Sequence, residues 1–123
     1  MRKKNRDANK IVIQKIIGYC DKIEAFIKRF GPDFENYCKD EAFQLSCSAC
    51  IIQIGELTTR LSEDFKENHS NITWYAIKGL RNIHAHEYEK VDLEGMWNTL
   101  TQEIPELKAQ LTEILSQETK TLS

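Results

Sequence analysis

Residues that interrupt helices are scarce in this sequence. It has two prolines and five glycines among 123 residues. This scarcity argues against a loop-rich or all-β fold and favours long helices. Segments with the two-residue period of a strand, internal repeats and low-complexity tracts are also absent. We predict one domain over 1–123 with a single hydrophobic core, a basic tail at 1–8 and a frayed polar tail at 117–123.

A long hydrophobic run is missing too. No apolar stretch approaches the roughly 20 residues that a membrane span needs. The segment from Ile11 to Ile17 mixes apolar pairs with Gln14 and Lys15, as an amphipathic helix does, and so differs from a secretory signal. We therefore expect a cytoplasmic protein that does not enter the membrane.

The chain lacks an excess of positive charge. Its formal net charge is −2 and its pI is near 5.9, so no global basic field attracts nucleic acid. This lowers the expectation of an RNA-cleaving enzyme without excluding it. An anionic substrate would have to be held by a local cluster of cations, most simply in a groove.

The four cysteines do not form a recognisable metal site. Cys47 and Cys50 make a Cys-x-x-Cys pair, but no second such pair completes a zinc site. Both fall on the apolar face of a predicted helix, and free cysteine is among the most buried residue types. We interpret them as core residues, with redox or metal chemistry as the alternative, and predict neither a metal nor a cofactor.

Apolar spacing predicts four main helices. Alternating steps of three and four residues mark the first helix, from Val12 to Phe30, and Gly31-Pro32 ends it. The same rhythm marks the second, from Phe43 to Leu61 with Phe65 extending it, and a third is predicted over 72–85. Gly55 lies inside the second helix at a cost of about 1 kcal/mol relative to alanine. We interpret it as the point of a close helix crossing.

The last helix is predicted to begin after Asp92, a good N-cap, and to carry an apolar stripe from Leu93 to Ile114. Pro105 lies inside this stripe, so we expect either a kink there or a break between two collinear segments. The predicted fold class is therefore all-α, an up-and-down bundle of four main helices.

The third helix divides into two sides. At about 100° per residue, Ala76, Ile77, Leu80 and Ile83 form an apolar side that we assign to the core. Trp74, Lys78, Arg81 and Ala85 fall on another side. This second side is either a platform for phosphates and bases or a solvated face with a half-buried tryptophan.

Chemistry is concentrated between Arg81 and Tyr88. Cleaving RNA without a metal requires a base for the 2′-hydroxyl proton, which suits histidine, and a cation for the phosphate, which suits arginine. On an ideal helix His84 lies nearer to Arg81, because His86 would be about 140° away. His86 can approach only if the helix ends near residue 84 or 85. The structural alternative is an Arg81 ion pair with Glu56 or Glu87.

The run from Ile77 to Tyr88, IKGLRNIHAHEY, resembles the signature of the HEPN superfamily and, more narrowly, of its HepT-like toxins. Ile54-Gly55-Glu56, Val91-Asp92, Trp97 and the segment 104–107 are also similar to that branch. The resemblance covers roughly residues 11–115.

This resemblance implies a metal-independent endoribonuclease that works as a homodimer. Its catalytic residues would be Arg81 and His86, supported by Asn82 and Lys78. Attack by the 2′-hydroxyl would leave a 2′,3′-cyclic phosphate. Tyr88 would be the site where a cognate nucleotidyltransferase antitoxin attaches AMP and silences the nuclease. The alternative is a non-catalytic HEPN nucleotide-binding module, or an adaptor subunit of a nucleotidyltransferase.

Overall fold

The computed structural model describes residues 3–82 and 93–122, with side chains at 6–81 and 93–118. Within these ranges the chain is helical and contains no strand, which confirms the all-α class. The helices are α1 (Lys3–Phe30), α2 (Phe34–Lys39), α3 (Glu41–Thr58), α4 (Glu63–Asn68), α5 (Trp74–Gly79), α6 (Leu93–Asn98) and α7 (Ile104–Leu122). A 3-10 turn, Leu80–Asn82, follows α5, and a π-helical segment, Thr99–Glu103, joins α6 to α7.

The long helices α1 and α3 are antiparallel and form the centre of the bundle. At one end the rings of Phe30 and Phe43 stack with centroids 5.1 Å apart. At the other end Asn9 donates from Nδ2 to Ser62 Oγ at 3.0 Å and accepts from the Ser62 backbone N–H at 3.1 Å. α1 begins at Lys3, inside the segment 1–8 that is predicted to be a basic tail, and Asn9 joins this helix to Ser62.

α1 ends at the predicted Gly31-Pro32 turn. Gly31 has φ of +111°, a left-handed conformation that L side chains rarely adopt, and its N–H donates to Ile27 O at 3.0 Å. Asp33 then caps α2 by accepting from the Asn36 N–H at 2.7 Å. This short helix places Tyr37 in the core, against Phe43.

The second predicted helix is divided. α3 ends at Thr58, and α4 begins after Ser62, whose hydroxyl accepts from the Phe65 N–H at 3.3 Å. The prediction that Phe65 continues the same helix was wrong. Local capping at Ser62, reinforced by Asn9 of α1, outweighs the apolar rhythm that crosses the break.

Pro105 is accommodated by a change of hydrogen-bond register. α7 begins directly after the π-helical segment, and Pro105 is its second residue. The Ile104 N–H donates to Thr99 O, five residues back. The Thr101 hydroxyl donates to Trp97 O at 2.8 Å. The helix therefore continues past the proline through a π segment. It reaches Leu122, so residues 117–122 of the predicted polar tail are helical, and their fraying stays a prediction.

Cys47 and Cys50 belong to the core, as predicted, and Cys20 is buried with them. Cys20, Cys47 and Cys50 are buried, whereas Cys38 is half-buried. Burial raises the pKa of the Cys20 and Cys47 thiols to about 12 and also raises that of Cys50. At neutral pH these thiols are protonated and so are poor nucleophiles.

α7 packs against α1. The Lys108 ammonium lies 2.8 Å from Asp21 Oδ1 and 3.1 Å from Glu24 Oε1. The hydrogen bond to Asp21, followed by that to Glu24, raises the pKa of Lys108. None of the helices in the described ranges is both long and apolar enough to cross a membrane.

Candidate functional site

The helix that leads into the Arg81–Tyr88 stretch ends earlier than predicted. α5 stops at Gly79, and the Leu80 N–H reaches back to the carbonyls of Ile77 and Lys78. Arg81 therefore lies on a 3-10 turn. The separation of about 140° from His86 applies to an α-helix that continues through Arg81, and the α-helix ends before that residue. His84, His86 and Tyr88 lie outside the described residues, as does the side chain of Asn82.

Gly55 decides where Arg81 lies. A Cβ built on Gly55 would come within 2.5 Å of the Arg81 backbone nitrogen and 3.1 Å of its Cα. Only a glycine lets the two backbones approach this closely without a shift. The predicted close crossing at Gly55 is confirmed, and its partner is the 3-10 turn. The contact places Arg81 directly against the last turn of α3.

The Arg81 guanidinium lies beside Glu56, the next residue of α3. Nη1 is 3.9 Å from Glu56 Oε1, and the side chains are 38% and 50% exposed. That separation is too long for a hydrogen bond, and exposed ion pairs of this kind contribute about 0–1 kcal/mol. The predicted pairing with Glu56 is therefore present but weak. It leaves the guanidinium able to bind a phosphate.

Lys78 and Trp74 separate in the fold. Lys78 is exposed, and no carboxylate oxygen in the described part of the chain lies within 4.0 Å of its ammonium. Trp74 packs on Phe65 with ring centroids 5.8 Å apart and donates from Nε1 to His69 O at 3.1 Å. Of the two alternatives for this side of the helix, the solvated face with a half-buried tryptophan is the one observed. Its indole is not part of a platform with Lys78 and Arg81.

The other side of α5 is less buried than its apolar character predicts. Ala76 is exposed, and Ile77 and Leu80 are half-buried. Together with α7 they line an open groove of about 360 Å³, whose opposite wall includes Ile104 and Leu107. The assignment of this side to the core is confirmed in part. Ile77 and Leu80 pack against the core cluster, whereas Ala76 is exposed. Ile83 lies outside the described residues.

A second groove, between α1 and α3, was not predicted from the sequence. It has a volume of about 400 Å³ and carries three cations and one carboxylate. Its polar and aromatic lining consists of Lys15, Tyr19 and Lys22 from α1 and Gln53, Glu56 and Arg60 from α3. The signal was present in the sequence, because each set recurs at the i, i+3 or i+4, i+7 spacing of one helix face.

The described residues do not form a cluster suited to a metal. In the two ranges 3–82 and 93–122, no group of three or more His, Cys, Asp or Glu side chains is arranged to hold an ion. The chemistry that these ranges offer is cationic, and it comes from Arg81, Lys78 and the α1/α3 groove.

Sequence comparison identifies the family. The pattern of the family described as Ribonuclease HepT-like matches residues 16–114, which include α3, the 3-10 turn and the segment from Arg81 to Tyr88. The chain belongs to the HepT-like ribonuclease family. This confirms the resemblance to the HepT-like branch of the HEPN superfamily, and with it the prediction of an endoribonuclease.

Relatives of similar length support the assignment. A protein of Caldanaerobacter subterraneus subsp. tengcongensis named "Putative RNase" is 34% identical over 106 residues, 86% of this chain and 93% of its own. A Methanocaldococcus jannaschii protein with the same designation is 29% identical over 86% of this chain and 90% of its own. The "Probable ribonuclease HepT" of Thermococcus cleftensis is 27% identical over 87% of this chain and 96% of its own. No solved structure matches the chain significantly.

Proposed function

We propose that this HepT-like protein is a metal-independent endoribonuclease whose catalytic pair is Arg81 and His86. The observation that carries the proposal is the position of Arg81. It is held against α3 at Gly55, with a half-exposed guanidinium that has only a weak partner in Glu56. Lys78, one turn earlier, adds a second exposed cation, and Asn82 follows Arg81 directly.

The reaction assigns one role to each member of the pair. His86 accepts the proton of a ribose 2′-hydroxyl, and the 2′-oxygen attacks the adjacent phosphorus. The bond from phosphorus to the 5′-oxygen breaks, that oxygen takes up a proton from water, and His86 returns its proton to the solvent. Arg81 donates hydrogen bonds to the phosphate oxygens, on which negative charge increases in the transition state. The products are a 2′,3′-cyclic phosphate and a 5′-hydroxyl.

A homodimer fits the charge of the chain. One protomer has a net charge of −2, which is unfavourable for binding RNA. Two copies facing each other would bring two Arg81 and two Lys78 side chains into one cleft and so double the local positive charge. We infer that the active form is this dimer.

Regulation is proposed to act on Tyr88. In a toxin–antitoxin pair, a nucleotidyltransferase antitoxin would attach AMP to the Tyr88 hydroxyl. Each adenylyl group adds bulk and negative charge two residues from His86, where an RNA phosphate must bind. Both proteins would act in the cytoplasm, where the RNA substrate is found.

Cleavage of RNA in the presence of a chelator tests the reaction. We expect the purified protein to cut a single-stranded RNA at an undiminished rate in excess EDTA and to leave 2′,3′-cyclic phosphate ends, because the base and the cation are both side chains. Gel analysis with and without phosphatase treatment identifies the ends. Loss of activity in EDTA that added metal restores, or 3′-hydroxyl products, would contradict the proposed chemistry.

Replacing Tyr88 by phenylalanine tests the regulation. Tyr88→Phe removes the hydroxyl that would accept AMP and should abolish labelling by the partner nucleotidyltransferase with radioactive ATP. RNA cleavage should change little, since the ring is kept. Tyr75→Phe is the matched control, because Tyr75 is 89% exposed on α5. Labelling that survives in Tyr88→Phe would place the modification on another residue.

A further inference from the structure

The α1/α3 groove has a charge opposite to that of the whole chain. Lys15, Lys22 and Arg60 are all exposed, and in the part of the chain that the structure describes no carboxylate lies within 4.0 Å of any of them. Lys39, Lys66 and Lys108, by contrast, each pair with a carboxylate. Unpaired cations in a groove concentrate a positive field that paired surface cations do not.

The antiparallel packing distributes these cations along the groove. Lys15 and Lys22 are two turns of α1 apart, about 10.5 Å. Because Asn9 contacts Ser62 at one end, Arg60 belongs to the Lys15 end of the groove. The Lys22 ammonium is held 4.5 Å from the centre of the Tyr19 ring, a cation–π contact that fixes its position.

Glu56 connects the groove to Arg81. It is the one carboxylate of the groove lining, and it is also the partner of the Arg81 guanidinium at 3.9 Å. The groove therefore opens beside the residue that we place at the reacting phosphate. The separation of about 10.5 Å between Lys15 and Lys22 along α1 corresponds to about three nucleotides at the roughly 3.4 Å rise of a stacked strand.

We propose that the α1/α3 groove binds the RNA strand next to the cleavage site, with Lys15, Lys22 and Arg60 contacting its phosphates. The proposal rests on the proposed ribonuclease function and extends it to a substrate track. The three cations contact the phosphates of the RNA backbone, so the groove binds single-stranded RNA without distinguishing its bases. This explains how an acidic chain binds RNA: the substrate meets a local cationic surface.

The salt dependence of RNA binding tests the track. The slope of log affinity against log salt is negative, and each lost phosphate contact reduces its magnitude by about 0.7 for a single strand. A triple variant, Lys15→Gln with Lys22→Gln and Arg60→Gln, should therefore reduce the magnitude of the slope by about 2. Fluorescence anisotropy with a labelled single-stranded RNA measures the slope. His86→Ala serves as the parent so that the RNA stays intact.

Lys28→Gln is the matched control. Lys28 is an exposed lysine of α1, about 120° around the helix from Lys22 and outside the groove, so it should leave the slope unchanged. With His86 intact, the triple variant should raise KM for RNA while kcat at saturation stays within about twofold, because these groups bind the strand and take no part in bond breaking.

The outcomes separate the two proposals. If the chain cuts RNA but the triple variant keeps the slope and KM of its parent, the track is overturned and the ribonuclease function stands. The same holds if the triple variant loses only its binding to the nucleotidyltransferase, since the groove would then be a protein interface. If the unsubstituted chain neither binds nor cuts RNA, both proposals fall.

Discussion

His86→Ala is expected to lower the rate of RNA cleavage by about 10²–10⁴-fold, the usual contribution of a positioned general base. Arg81→Ala should cost about 10²–10³-fold, the usual effect of removing one donor that stabilises transition-state charge. Arg81→Lys should recover only part of this loss, because an ammonium group lacks the planar fork that binds two phosphate oxygens. Single-turnover cleavage of a defined RNA measures all three.

These losses should come without loss of the fold. The Arg81–Glu56 pair is long and half-exposed, so Arg81→Ala should change the free energy of unfolding by no more than about 1 kcal/mol. Urea denaturation followed by circular dichroism checks this. A much larger destabilisation would indicate that the main role of Arg81 is to hold α3 and the 3-10 turn together.

His84→Ala is the matched control for His86. If the α-helical register continued past Arg81, His84 would be the nearer histidine, whereas the proposed catalytic pair uses His86 as the base. We expect His84→Ala to retain most of the cleavage activity. When the genes are expressed in cells, the unsubstituted protein should arrest growth and His86→Ala should not. An inactive His84→Ala beside an active His86→Ala would reverse the assignment.

Gly55→Ala is expected to disturb both stability and catalysis. The new Cβ would lie 2.5 Å from the Arg81 backbone nitrogen. Because this contact is with backbone, the 3-10 turn must move. Overpacking of this kind typically costs about 1–3 kcal/mol. A displacement of about 1 Å at a catalytic group can lower the rate by about 10²-fold, so we expect a similar loss of RNA cleavage in the folded fraction.

Gly18→Ala separates the steric effect from helix propensity. Gly18 also lies inside a helix, but apart from its own helix backbone no atom of the described residues lies within 4 Å of the Cβ position. Its replacement should stabilise the protein by up to about 1 kcal/mol, because alanine is the better helix former. The melting temperatures of the two variants should therefore shift in opposite directions. Equal stabilisation by both substitutions would show that Arg81 does not pack on Gly55.

Local signals in the sequence predicted much of the fold. The rhythm of apolar residues placed α1, α3 and the last helix, since each must bury one face. Gly31 indicated the end of α1, because glycine readily adopts the left-handed conformation that the structure shows there. Pro105 correctly indicated a disturbance in the last helix, although the register change to a π segment depends on hydrogen bonds that periodicity does not describe.

The third helix shows where such signals fail. Its apolar spacing continued to residue 85, yet α5 ends at Gly79 and its apolar side is only partly covered. Periodicity reports which residues could be buried by a neighbour. It does not report whether a neighbour is there, which depends on how α3 and α7 pack around the segment.

By itself, the sequence determined the helical class, the run from Arg81 to Tyr88 that assigns the chain to its family, and the chemistry that this run offers. Only the tertiary structure decided that Arg81 lies against Gly55 and beside Glu56, and that cations of α1 and α3 share a groove whose lining includes Glu56. The reason is physical. Residue types and their spacing act within one helix, whereas these contacts join residues from three separate segments, whose approach is set by backbone packing across the bundle.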